Sequence, residues 1–158
     1  MGAIRTTSRP ATALAAKHAP GRVAAVARLA FGGLFTGGSL VHVAILVTGT
    51  ETYRHFADTA FLPVVKQAWL SVFMAHAALL GLLLAAFELT VGLLILAGGR
   101  KTTLGLLAAV AFHLGLMLFG WGFWAWSVPM LAMLVALLRC DFRNAMGPRR
   151  NPRTGEQT

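Results

Sequence analysis

Residues 68–99 read AWLSVFMAHAALLGLLLAAFELTVGLLILAGG, an apolar run of 32 residues whose only formal charge is Glu88. As one helix it would be ~48 Å long, more than a ~30 Å hydrocarbon core requires. Gly81 is a weak breaker and no polar turn interrupts the run, so a single long helix is expected, tilted or projecting at one end. Three further apolar runs flank it. Leu29 to Val47 precedes it, and Leu104 to Phe119 and Phe123 to Leu138 follow, the last carrying Pro129 as a kink site. The first run could be mistaken for a secretory signal. Its length and the lack of a small-x-small cleavage site favour a retained anchor.

The expected class is therefore an all-α polytopic membrane protein, a bundle of four transmembrane helices. Its spans fall at about 28–48, 68–99, 102–120 and 122–139 within a domain covering 22–142. Basic tails at 1–21 and 143–158, poor in apolar periodicity, are expected to be disordered. Between the first two spans, Tyr53, Phe56, Ala60 and Phe61 recur at helical spacing, which suggests a short interfacial helix. Pro63 suits the first turn of the next helix.

Composition agrees with a bilayer as the main partner: 57% of residues are hydrophobic and 12% charged, with a net charge of +9. The charge does not point to nucleic acid, because the basic residues cluster at the ends of apolar runs rather than on an amphipathic face. Twelve of the fourteen Lys and Arg fall before the first span, between the second and third, or after the fourth. Only Arg54 and Lys66 fall on the other side. This bias predicts a multi-pass cell-membrane protein with both termini cytoplasmic. Trp69, Trp121, Trp124 and Trp126 all map to the opposite interface, where indoles prefer to sit. Cys140 is the sole cysteine, so no intrachain disulfide can form.

Four ionisable residues fall within the spans: Glu88, His42, His76 and His113. Each costs about 2.5–3.5 kcal/mol at a helix centre on insertion scales, so each is a candidate for an intramembrane polar site. Gly81, Ala85, Glu88 and Gly92 share one helical face, and their small neighbours would let another helix approach Glu88. His113, on the adjacent helix, is the best placed base for it. A proton or cation site and a packing hydrogen bond are both open readings. Paired imidazoles could ligate haem or a metal, and a quinone site is a further reading. Yet there is no HxxxH pair, no cysteine nearby, and His76 lies ~120° around the helix from Glu88. No metal site is assigned. Gly33 and Gly37 form a small-xxx-small pair, read as packing within the bundle or as a homo-oligomer contact.

The Arg28-Leu29-Ala30-Phe31-Gly32-Gly33-Leu34-Phe35 opening and the stretch Phe87-Glu88-Leu89-Thr90-Val91-Gly92-Leu93-Leu94-Ile95-Leu96-Ala97-Gly98-Gly99-Arg100 resemble the DoxX-like family of small four-helix membrane proteins. The likeness runs from Arg28 to Phe142. It implies a subunit of a quinone-linked or redox-stress membrane complex, with a membrane or redox protein as partner and Glu88 as the residue carried over. The alternative is a non-catalytic membrane scaffold or small permease-like protein. No nucleophile–base constellation, phosphate loop or complete metal motif is present, so catalysis of the soluble-enzyme kind is not expected.

Overall fold

The computed structural model describes residues 19–146. Four helices there are long and apolar enough to cross a membrane. They are α1 (Ala19–Thr48), α2 (Pro63–Leu96), α3 (Gly99–Leu116, extended by a 3₁₀ turn at Met117–Phe119) and α4 (Trp121–Met146). No strand occurs among the described residues. An all-α bundle is the solution expected where the solvent offers the backbone no hydrogen bonds. The basic tails expected from the sequence lie largely outside the described residues, although α4 continues to Met146 rather than stopping near 139.

The chain runs up and down. α1 packs along α2, α2 against α3, α3 against α4, and α4 meets α1 only sparsely. The turn between α2 and α3 is Gly98 and Gly99, both with positive φ. It is pinned by the Thr102 hydroxyl, which donates to the Ile95 carbonyl at 3.0 Å. In the half of the bundle where α1 begins and α4 ends, Phe31, Val91, Ile95, Leu106, Leu134 and Leu137 form a continuous buried cluster.

α1 and α2 approach with their backbones. A Cβ on Gly92 would come within 2.9 Å of the Gly32 carbonyl and 2.6 Å of Thr36 Oγ1. Thr36 in turn donates to the Gly32 carbonyl at 2.8 Å. The small face of α2 is the expected one, since Gly81, Ala85, Glu88 and Gly92 are all buried. The small face of α1 is not. Gly33 and Gly37 are exposed, and a Cβ added to either would meet nothing within 4 Å, while Gly32 and Gly38 carry the contact. Packing within the chain therefore does not use the Gly33–Gly37 pair, because two glycine doublets each offer several registers.

α2 departs from the single regular helix expected. It opens at Pro63 and ends at Leu96, three residues before the expected Gly99. After one α-helical turn it passes through a π-helical turn at Trp69–Phe73 and a 3₁₀ turn at Met74–His76. These irregular turns stack Trp69 on Phe73, with ring centroids 3.8 Å apart and planes 9° apart. Runs of this kind are common at functional sites.

The expected short helix is present as a 3₁₀ helix at Thr50–Ala57. Its apolar side does not rest on lipid. Tyr53 and Ala57 are fully buried beneath it, while Glu51, Arg54, His55 and Asp58 face outward. Trp69 Nε1 donates to the Tyr53 carbonyl at 2.7 Å and Thr59 Oγ1 to the Phe119 carbonyl at 2.8 Å. The segment is therefore a cap bonded across the end of the bundle. Gly120, at positive φ, sits where any Cβ would collide with the Thr59 carbonyl.

Candidate functional site: a polar pair at the end of an aromatic cavity

Beneath the 3₁₀ cap the helices diverge and enclose a cavity of about 620 Å³. This volume lies within the range of small-molecule sites. Its walls are apolar and rich in rings, among them Phe35, Phe73, Phe112, Phe119 and Phe123. The cavity also has a side mouth. Leu34 and Val41 of α1, Leu118 of the α3 extension and Trp126 of α4 line it, yet are between 40% and 57% exposed. Those residues face the medium around the helices, so the cavity opens laterally where α1 and α4 part.

Three of the four ionisable residues singled out from the sequence meet here. His42, Glu88 and His113 line the cavity and are buried. His76 does not join them. It is exposed, at the 3₁₀ turn of α2. The ~120° offset from Glu88 foreshadowed this separation.

Glu88 is 7% exposed and its Oε1 lies 3.6 Å from His42 Nε2. That distance is an ion-pair contact slightly beyond a hydrogen bond. Oε2 has no hydrogen-bond partner among the described residues. It lies in the space left by Gly38, where a Cβ would come within 2.5 Å of it. Gly38 thus makes room for the carboxyl group. His42, rather than His113, is the imidazole beside Glu88. The close approach of α1 to α2 decides this, whereas depth along the sequence places all three histidines at one level.

The other nitrogen of His42 is 3.0 Å from the Tyr53 hydroxyl, and the two rings stack. Tyr53 is the only tyrosine in the chain. Burial first, and the Glu88 carboxylate second, raise its phenol above the usual range. The phenol therefore keeps its proton, and we assign its hydroxyl as the donor to Nδ1. That leaves the Nε2–H tautomer of His42, with its N–H directed at Glu88. Tyr53, His42 and Glu88 form a continuous polar line from the cap to the cavity. The sequence pattern places Tyr53 on a lipid-facing helix and so misses its role. The available signal is a phenol in an otherwise apolar stripe, since a buried hydroxyl needs a partner.

His113 is held separately. Its Nδ1 is 2.9 Å from the Ala109 carbonyl, and its ring meets Phe35 and Phe112 edge-on. His42 thus has Nδ1 at the Tyr53 hydroxyl and Nε2 facing Glu88, while His113 has Nδ1 tied to backbone. Among the described residues no group of three His, Cys, Asp or Glu could hold a metal ion.

No family model, curated protein or solved structure matches this chain. What the site can do chemically rests on its own geometry. It can hold a lipid-soluble, ring-bearing molecule and place it beside groups able to exchange protons.

Proposed function

We propose that this protein is a membrane subunit that binds a quinone-type molecule drawn from the bilayer, within a quinone-linked or redox-stress complex of the cell membrane. The lateral aromatic cavity ending at the His42–Glu88 pair carries this reading. A planar apolar ring fits walls of Phe and Trp, and the mouth between α1 and α4 faces the phase in which such molecules dissolve. The resemblance to DoxX-like proteins supports the same class through Glu88. In this reading both termini are cytoplasmic, and the 3₁₀ cap lies on the outer side.

Quinone chemistry exchanges protons along with electrons. The Tyr53–His42–Glu88 line holds a proton on the phenol and another between imidazole and carboxyl, close to the ligand. Electrons would come from a partner oxidoreductase. The test is purification in native lipid, followed by organic extraction and chromatography of bound quinone, with Trp126→Ala and Leu34→Trp as mouth variants. Quinone at near one per chain, reduced in Leu34→Trp, supports the proposal. Quinone no higher than in bulk lipid, together with no binding of added quinone, overturns it in favour of a scaffold or permease-like role.

A further inference from the structure

We infer that the cavity selects ligands by hydroxyl donation: its deep end takes the O–H of a hydroquinone or phenol, and discriminates against the carbonyl of the oxidised ring. This rests on the binding role just proposed and adds which chemical form is held and by which atom.

The donors at the deep end face partners within the protein, whereas acceptors remain open. The Nδ1 of His113 faces the Ala109 carbonyl at 2.9 Å. A carbonyl can only accept, so Nδ1 carries the hydrogen, and in the neutral ring Nε2 is a lone-pair acceptor. His113 is 2% exposed and lines the cavity, so Nε2 is the nitrogen left for a ligand. The donors nearby are turned to groups within the protein, that of His42 at ion-pair rather than hydrogen-bond distance. The Trp69 indole N–H is given to the Tyr53 carbonyl, the Tyr53 hydroxyl to His42, and the remaining N–H of His42 is turned to Glu88. Glu88 turns Oε1 to His42, and its Oε2, without a hydrogen-bond partner among the described residues, adds an acceptor rather than a donor. The Trp126 indole, at the exposed mouth, is too near the lipid side to serve the deep end. A ring carbonyl reaching His113 would set acceptor against acceptor, while a ring hydroxyl would pair with it. In an apolar cavity an unmatched polar pair is penalised more than in water.

The aromatic packing fixes this atom in place. Phe35 and Phe112 contact the imidazole edge-on, with ring centroids 5.8 Å from it in each case. The ring cannot rotate to present Nδ1 without losing the Ala109 bond.

The test uses the full chain in lipid nanodiscs and three matched probes: decylubiquinone, its hydroquinone, and the dimethyl ether of that hydroquinone. The ether keeps the reduced ring but has no O–H. Bound fractions are read by chromatography under anaerobic conditions. The hydroquinone should bind about tenfold tighter than the quinone and the ether, the ratio expected for one buried hydrogen bond. His113→Phe should reduce the ratio of hydroquinone to ether binding from about ten towards one. His113→Gln, whose amide oxygen can accept, should restore part of the preference. Equal binding of hydroquinone and ether, tighter binding of quinone, or an equal loss of all three probes in His113→Phe would overturn the inference while leaving a quinone-type site standing. Failure of every probe to bind the wild-type chain would instead remove the binding role itself.

Discussion

His42 Nε2 stands 3.6 Å from Glu88 Oε1, while its Nδ1 stands 3.0 Å from the Tyr53 hydroxyl. One imidazole thus joins a carboxyl inside the bundle to a phenol in the 3₁₀ cap. The arrangement depends on three elements that the chain brings together from far apart: α1, α2 and the 3₁₀ helix between them. It also depends on Gly38, which leaves the space the carboxyl occupies.

The two histidines of the cavity should show opposite tautomers. In ¹⁵N-histidine spectra of the protein in nanodiscs, His42 is expected as Nε2–H and His113 as Nδ1–H in their neutral forms, because one accepts from a phenol and the other donates to a carbonyl. Tyr53→Phe removes the donor to His42 Nδ1 and leaves a buried nitrogen unpaired, a loss of about 1–3 kcal/mol in stability. A Tyr53→Phe protein that melts like wild type, with unchanged His42 shifts, would refute the hydrogen bond.

Glycine substitutions should divide sharply by face. Gly92→Ala pushes a methyl against the Gly32 carbonyl, a backbone atom that cannot swing aside, so α1 and α2 must separate. A destabilisation of about 1–3 kcal/mol is expected, as for overpacking in a core. Gly33→Ala and Gly37→Ala meet nothing within 4 Å. They should be neutral, or stabilising by up to about 1 kcal/mol through helix propensity. Thermal unfolding in detergent distinguishes the two groups. Equal damage at Gly33 would place an unseen partner, such as a second copy, on that face.

Much of this is legible in the sequence, and the limits have physical causes. Four spans follow from run length, and the inward face of Glu88 from its period with Gly81, Ala85 and Gly92. Helical depth gives one coordinate only. It places His42, His76 and His113 at a common level but cannot say which neighbour each will meet. That requires the rotation of α1 against α2, set by Gly32 and Gly38 rather than Gly33 and Gly37. The irregular turns at Trp69–Phe73 and Met74–His76 leave no mark on an all-apolar stretch, because every register there looks alike. Tyr53 reads as a membrane-surface residue because an amphipathic segment between two spans presents the same pattern whether its apolar side covers lipid or protein.

Orientation should follow the charge bias. The cap, with Arg54, is expected outside and the Arg100–Lys101 turn inside. In a Cys140→Ser background, Thr52→Cys should react with an impermeant maleimide on intact cells, since Thr52 is exposed on the cap. Thr103→Cys is half-buried at the opposite end and should react only after permeabilisation. The reverse pattern would invert the assignment and place the cavity mouth nearer the cytoplasmic leaflet.

Tyr53 offers a direct titration of the site, because it is the only tyrosine and its phenolate absorbance can be followed near 295 nm without overlap from another phenol. Its ordinary value of 10.0 is raised in the folded protein, by burial first and by the Glu88 charge second. Between the unfolded and folded values the native state therefore binds the extra proton. Stability attributable to this group is complete below about pH 10 and is lost as pH rises through the folded value. Phenolate should appear in the intact protein only above pH 10, and return to the ordinary range on unfolding in denaturant. Glu88→Gln separates the two causes. It removes the charge but keeps the volume, so the midpoint should move down only part of the way, with burial holding the rest. A complete return to 10.0 in Glu88→Gln would mean that charge, not burial, governs the phenol. No change at all would mean that Glu88 and Tyr53 do not sense one another through His42.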